Sequence, residues 1–199
     1  MRYSVTAIER EYASGGREIG ERLAGQLGVP CYNQEILQRA SARLGLPVSQ
    51  LSGVEESVNG TLSFGLAAFA NIASGESPGH SSVVQRLVAA ETRIINELAA
   101  QPCVIVGRGA AAILREQRNV LRVFVHADTA ARVARATGAY QLDPGRAESE
   151  LRRNDRRRSS YFEATTDLRW RDRDLYHLFL NSGQLGIVGS VAILRCAME

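Results

Sequence analysis

Short apolar runs that alternate with amphipathic segments constrain the fold of this 199-residue chain more than any other feature of its sequence. The spacing of Ile19, Leu23 and Leu27 predicts a helix after the first run, and helical patterns follow the later runs. Parallel strands need crossover connections, which helices usually provide. The alternation therefore predicts an α/β fold of three layers, in which helices flank a five-stranded parallel sheet. The predicted strands are residues 3–9, 29–32, 103–106, 121–126 and 176–180.

Capping residues set the expected limits of the helices. Gly28 is suited to end the first helix, and Asp128 is suited to begin a later one. Residues 74–81 are rich in Gly and Ser and predict a loop, while the stretch 48–80 has no clear pattern. The first helix is predicted to run to about residue 28, and the others to cover residues 33–45, 82–100, about 129–137 and 187–197.

Two glycine-containing turns follow predicted strands. The first is the segment 11–17, with Gly15 and Gly16, and the second is Gly107-Arg108-Gly109. Parallel sheets bind ligands beyond the carboxyl ends of their strands, so both turns are expected at one ligand-binding edge. Backbone N–H groups that converge at a helix N-terminus bind phosphate. However, the standard sequence of a phosphate-binding loop, GxxxxGK[ST], is absent, and a simple tight turn is the alternative.

All 24 basic residues of the chain are arginines. The absence of lysine excludes Schiff-base chemistry, a lysine general base and the usual lysine of a phosphate-binding loop. Residues 146–173 hold nine arginines and six acidic residues, which accounts for the whole net charge of +3. This concentration favours a local anion site over a generally basic surface. The stretch predicts either a solvated helix face or a mobile arginine lid that closes over phosphates.

Composition narrows the class of protein. With 45% hydrophobic and 23% charged residues, the chain is expected to be one globular domain and not a disordered segment. No apolar run is long enough to span a bilayer, and no signal peptide is expected, so we predict a cytoplasmic protein without a membrane partner. The three cysteines lie far apart, which argues against a metal site or a disulfide framework. Acidic residues interrupt the arginines, which argues against a nucleic-acid partner.

Four segments taken together resemble the cytidylate kinase-like family, divergent relatives of bacterial cytidylate kinase among the P-loop nucleoside monophosphate kinases. The resemblance covers nearly the whole chain and is weakest over 48–80. It implies a P-loop NTPase-type fold, an acceptor-binding helical lobe at about 33–80 and an arginine-rich lid at about 146–173. The segments are EREYASGGREIGERLA at 9–24, VIVGRGAAAIL at 104–114, NVLRVFVHA at 119–127 and YHLFLNSGQLGI at 176–187.

The resemblance also implies roles for individual residues. Gly16 stands where the family relatives have the loop lysine, and Ser14, Glu18 or water would have to hold Mg²⁺. The residues implied to bind the ATP phosphates are Ala13, Ser14, Gly15, Gly16, Arg17 and Glu18. Those implied to bind the acceptor nucleotide are Asn33, Arg39 and Arg108. The implied catalytic residues are Arg17 and, on the lid, Arg153, Arg156 and Arg157, while Arg132 or Arg135 is expected to face the phosphates.

Three functions remain open on this sequence. The first is a nucleoside monophosphate kinase-like phosphotransferase that moves the ATP γ-phosphate to a CMP-like acceptor, with Mg²⁺ as the expected metal. The second is a non-catalytic nucleotide-binding module or sensor, which the missing lysine favours. The third, RNA binding through the arginines, is disfavoured because aromatic residues do not alternate with them. Small-molecule nucleotides are the expected partners, and the sequence leaves the acceptor base and the oligomeric state open.

Overall fold

The five predicted strands form one sheet in a computed structural model, which describes residues 2–57 and 83–199. All strand pairs are parallel, and the order across the sheet is β2-β3-β1-β4-β5. This confirms the predicted parallel sheet. The predicted loop at 74–81 and residues 58–80 of the predicted acceptor lobe lie outside the described residues. The strands are β1 (Val5–Arg10), β2 (Cys31–Tyr32), β3 (Cys103–Val106), β4 (Val120–His126) and β5 (Leu178–Asn181).

Helices connect the strands and cover both faces of the sheet. Gly28 and Gly45 end the first two helices with left-handed backbones (φ 65° and 64°), as suits glycine after a helix. Among the described residues, no helix combines the length and the apolar character needed to span a membrane. The helices are α1 (Gly16–Leu27), α2 (Gln34–Leu44), α3 (Val48–Ser57), α4 (Val83–Leu98), α5 (Ala110–Ile113), α6 (Thr129–Gly138), α7 (Pro144–Thr166) and α8 (Ser182–Met198).

Two apolar cores lie on opposite sides of the sheet, because successive side chains of a strand point to opposite faces. On β1, Ala7 packs with one core, which includes residues of α2 and α4. Ile8 packs with the other core, which includes residues of α1 and α8. The result is the expected three-layer arrangement, and it brings the ends of β1 and β3 together at one edge, with Ile8 beside Val106.

The arginine-rich stretch is partly helical. Residues 144–166 form one continuous helix, α7, and the stretch leaves the helix at Asp167. Asp143 caps its start, since the Asp143 carboxylate accepts a hydrogen bond from the Gly145 N–H at 2.7 Å. Asp167 ends the helix with a left-handed backbone, φ 56°.

The last strand and helix begin at other residues than predicted. β5 starts at Leu178 because a 3-10 turn, Arg173–Leu175, precedes it and Tyr176 turns inward to donate to the Trp170 carbonyl at 2.7 Å. α8 starts at Ser182, five residues early, since the Asn181 side chain caps it through the Gly183 N–H. Gly186 has φ 66° and ψ 172°, so the helix has a kink close to the predicted start.

Candidate active site

The loop between β1 and α1 is a tight turn with little free space. Ala13 and Gly15 both have left-handed backbones, with φ of 59° and 77°. A Cβ atom at Gly15 would lie 2.6 Å from Cδ1 of Ile187, and one at Gly16 would lie 2.6 Å from Cβ of Arg10. Both glycines are therefore required for the loop to pack against its neighbours. α1 begins at Gly16, directly after this turn, and the N-terminus of a helix is suited to bind an anion through its first N–H groups.

Buried charges fasten this loop to α6 and α7. The Glu11 carboxylate pairs with Arg132 at 3.1 Å and with Arg171 at 2.7 Å. The Asp155 carboxylate accepts the Tyr12 N–H at 2.7 Å and pairs with Arg132 at 2.5 Å. Arg132 also donates to the Tyr12 carbonyl at 2.8 Å. Arg132 thus holds the loop through two carboxylates and one carbonyl.

A cavity opens between this loop, the 107–109 turn and α7, and we call it the loop cavity. Its inner part has a volume of about 210 Å³ and no carboxylate among its described lining residues. Its outer part, about 420 Å³, runs along the loop itself, and Arg10, Asn33, Arg108 and Arg158 line both parts. The remaining inner residues are Asn154, Arg157 and Tyr161. Such a set of donors predicts an anionic ligand.

Arg10 lies at the centre of the loop cavity. It is the last residue of β1, and its guanidinium covers Gly107, where a Cβ atom would lie 1.9 Å from Nη1. Burial lowers the pKa of Arg10, although the neighbouring Glu9 carboxylate opposes this shift. Within the described residues, no carboxylate lies within ion-pair distance of Arg10. Sequence reasoning missed this residue, although its place at the end of the first strand was a usable signal.

Arg158 packs against Arg10 and brings a second positive charge. Its guanidinium donates to the Arg10 carbonyl at 2.9 Å and lies 5.5 Å from the centre of the Tyr12 ring. Burial and the nearby Arg10 charge lower the pKa of Arg158 to about 9. Two desolvated like charges destabilise each other, so an anion between them would be strongly favoured.

Arg108 is held in place by a buried glutamate. Arg108 has a left-handed backbone (φ 63°), and its Nη1 atom lies 3.2 Å from Oε1 of Glu91 on α4. The Tyr161 hydroxyl, on α7, donates to the other oxygen of Glu91. Burial raises the pKa of Glu91 to about 7, against the effect of the Tyr161 hydrogen bond. Glu91 thus joins three elements at the rim of the loop cavity, and no sequence motif indicated it.

Comparison with known proteins agrees with this architecture. The model of the cytidylate kinase-like family matches residues 5–184. The chain belongs to this family. No curated protein matches it. Among solved structures, an uncharacterized protein from Eubacterium ventriosum is similar with a TM-score of 0.71 and 19% identity, over 98% of this chain and 97% of that one.

Shikimate kinases share the fold with this cytidylate kinase-like chain. The enzyme from Bacteroides thetaiotaomicron has a TM-score of 0.53 and 14% identity, over 98% of this chain and 97% of that one. The enzyme from Acinetobacter baumannii, in complex with shikimate, has a TM-score of 0.51 and 14% identity, over 98% and 93%. At such identities the likeness shows the fold alone, which is that of P-loop kinases and confirms the predicted fold class.

The predicted phosphate-loop residues of this cytidylate kinase-like chain differ in their surroundings. Ala13, Gly15, Gly16 and Arg17 line the outer loop cavity, although Arg17 also binds Glu21 of its own helix at 2.7 Å. The Ser14 side chain is buried and donates to the Glu11 carbonyl at 2.8 Å. The Glu18 carboxylate accepts two hydrogen bonds from Arg135, at 2.8 and 3.0 Å, and pairs with Arg22 at 2.7 Å.

These contacts test whether the loop could hold Mg²⁺ directly. The hydroxyl of Ser14 and the carboxylate of Glu18 are the two donors expected from the sequence, and both are engaged elsewhere in the protein. The described residues also contain no group of three His, Cys, Asp or Glu side chains able to hold a metal ion. In this arrangement the residues present do not fit as direct Mg²⁺ ligands.

The structure separates the predicted acceptor and lid residues into two sets. Asn33, Arg108 and Arg157 line the inner loop cavity together. Arg39 is exposed and lies 5.5 Å from the centre of the Tyr32 ring, and it does not line the loop cavity. Arg153 pairs with Glu150 on the same helix at 3.0 Å, and Arg156 lines another cavity. Arg158, which sequence reasoning did not select as a site residue, takes the central position on α7.

Proposed function

We propose that this protein is a phosphotransferase that moves the γ-phosphate of ATP to a CMP-like nucleoside monophosphate. One observation carries the proposal. Three arginines, Arg10, Arg108 and Arg158, converge on a cavity whose wall is the glycine-containing loop of a P-loop kinase fold. Phosphoryl transfer depends mainly on positioning and charge neutralisation, and this arrangement provides both.

The donor phosphates would lie along the loop. The N–H groups of residues 13–17 and the N-terminus of α1 would hold the β-phosphate of ATP. Gly16 occupies the position of the usual loop lysine. Arg10 has the position and the charge to replace that lysine, and Arg158 adds a second charge beside it. An arginine on a transferring phosphoryl group contributes roughly 10³–10⁵ in rate in known phosphotransferases. The guanidinium groups can therefore supply the neutralisation without a lysine.

The acceptor phosphate would bind at the inner end of the loop cavity. Arg108 would donate to it in place of its bond to Glu91, while Asn33 and Asn154 offer further polar contacts. Arg157 lies on the same face of α7 as Arg158 and would also approach the transferring group. We retain ATP as the donor, Mg²⁺ held through water and not through these side chains, and a cytoplasmic location, with an acceptor lobe near 33–80 and a lid near 146–173.

Release of ADP with each nucleoside monophosphate tests the proposal. We expect ADP formation from ATP to depend on a CMP-like acceptor and to fall at least tenfold in Arg10→Ala, with Arg118→Ala as an exposed-arginine control. The mechanism is wrong if every acceptor leaves ADP formation at background.

A second candidate, a nucleotide-binding module without catalysis, is favoured by one observation. Gly16 offers no charge, and Glu18 is held by Arg135 and Arg22. A thermal-shift titration with ADP and ATP distinguishes the two functions: stabilisation by nucleotides without ADP release identifies the module, and stabilisation with release identifies the kinase.

A further inference from the structure

Helix α7 separates two cavities that are both lined by arginines. One face of the helix, residues 154, 157, 158 and 161, lines the inner loop cavity. Residues 152, 156, 159 and 163 lie about half a turn away and line a second cavity, which we call the rear cavity. The rear cavity has a volume of about 1090 Å³ and is closed on its other side by residues 167–173. It belongs to no part of the proposed mechanism.

In the rear cavity, most of the acidic side chains have hydrogen-bond or ion-pair partners, while several of the arginines have no carboxylate partner among the described residues. Its acidic residues are largely engaged: Asp155 binds Tyr12 and Arg132, and Glu163 accepts from Ser159 at 2.8 Å. Asp172 caps the following 3-10 turn through the Asp174 N–H, and Asp167 is exposed. Five arginines share the cavity with these four acids, namely Arg152, Arg156, Arg169, Arg171 and Arg173.

Three of these arginines have their guanidinium groups available. Within the described part of the chain, Arg156, Arg169 and Arg173 have no carboxylate within 4.0 Å, whereas Arg152 pairs with Glu148 and Arg171 with Glu11. Guanidinium groups bind phosphate oxygens in a planar, two-point manner. Three of them around one concave space therefore form a suitable surface for a phosphate group.

We propose that the rear cavity is a second anion site, which binds a small phosphate-bearing molecule. Its volume of about 1090 Å³ lies just above the roughly 300–1,000 Å³ of pockets for small ligands. A single-stranded RNA site would need exposed aromatic rings for the bases to stack on. Among the described lining residues the one aromatic ring is that of Trp170, which is only 2% exposed and whose Nε1 lies 3.4 Å from the Glu9 carboxylate. The shape and the buried ring thus favour a small anion over RNA.

A single side chain, that of Arg171, connects the rear cavity to the phosphate loop. Arg171 lines the cavity, and its Nη2 atom lies 2.7 Å from Oε1 of Glu11, which fastens the loop. The anion site itself does not depend on phosphoryl transfer, so it can be tested whether or not the protein is a kinase.

Pyrophosphate binding to the full chain, measured by calorimetry, is the test. We expect two classes of site in the wild-type protein. Arg169→Ala with Arg173→Ala should weaken one class about tenfold or more, since each loses a charge-assisted contact, and Arg158→Ala should weaken the other. Trp170 is the single tryptophan of the chain, so its fluorescence should respond to the class that the first variant removes. A control variant with Arg118→Ala and Arg195→Ala loses the same number of positive charges outside both cavities and should keep both classes of pyrophosphate site.

Three results would overturn the second site. The first is a single class of pyrophosphate site that Arg158→Ala abolishes and the Arg169/Arg173 variant retains. The second is equal weakening in the Arg118/Arg195 control, which would indicate general electrostatics. The third is tight binding of a short single-stranded RNA that requires Arg169 and Arg173 while pyrophosphate does not bind there. If the double variant does not fold, Arg156→Ala alone should still weaken one class and leave the other intact.

Discussion

Replacement of Glu91 by glutamine should make the protein more stable at neutral pH and less dependent on pH. The Glu91 carboxyl is 2% exposed, and burial raises its pKa from 4.5 to about 7. A shift of this size corresponds to about 3 kcal/mol, at about 1.4 kcal/mol for each pKa unit. The Arg108 guanidinium at 3.2 Å favours the ionised carboxylate, so about 3 kcal/mol is an upper value.

The sign follows from proton binding. Between pH 4.5 and 7 the folded protein keeps a proton on Glu91 that the unfolded chain has lost, so the contribution of Glu91 to stability falls as the pH rises. It is fully present below pH 4.5 and has been lost above pH 7. Glu91→Gln keeps a neutral group that can still accept from Tyr161. The free energy of unfolding of Glu91→Gln should therefore exceed that of wild type by an amount that grows between pH 4.5 and 7 and levels off above about pH 7.5.

Urea unfolding of both proteins from pH 5 to 8.5 measures this difference, and other titrating groups cancel because both proteins share them. Glu97→Gln, an exposed position on the same helix, is the matched control. Arg43 lowers the pKa of Glu97, so Glu97 titrates below this range and its variant should show a constant difference. A difference between Glu91→Gln and wild type that stays constant with pH would refute the proposed proton on Glu91.

Three further predictions concern arginines whose surroundings differ. Arg108→Ala should raise the acceptor KM sharply, and steady-state kinetics with unchanged KM would remove it from the acceptor site. Arg157→Ala should lower kcat more than it lowers ATP affinity, since a lid residue acts mainly in the transition state. Arg156 faces the rear cavity, so Arg156→Ala should leave kcat unchanged. Equal losses of kcat in both variants would contradict this division. Arg132→Met should cost up to about 3–5 kcal/mol in urea unfolding, because the buried carboxylates of Glu11 and Asp155 then keep only the exposed Arg171 as a partner, and a loss below about 1 kcal/mol would speak against that role.

Much of the fold could be predicted from local sequence because its signals are local. The apolar run Cys103–Val106 forms β3 with the predicted limits, and Gly28 and Gly45 end their helices as glycines at such positions do. The predicted limits failed where side-chain contacts set them. β5 begins late because the Tyr176 hydroxyl reaches the Trp170 carbonyl, and no apolar periodicity in the sequence encodes that contact.

The sequence by itself determined that this protein has a parallel sheet, a glycine turn after the first strand and arginine as its only permanent cation. These follow from residue type and spacing alone. Only the tertiary structure decided which arginines meet at the loop. Successive residues of α7 are rotated by about 100° around the helix axis. Arg157 and Arg158 therefore line the loop cavity, while Arg156 lines the rear cavity. Both faces of α7 carry arginines, so the sequence does not show which face lies at the phosphate loop. The packing of α7 against the rest of the fold decides it.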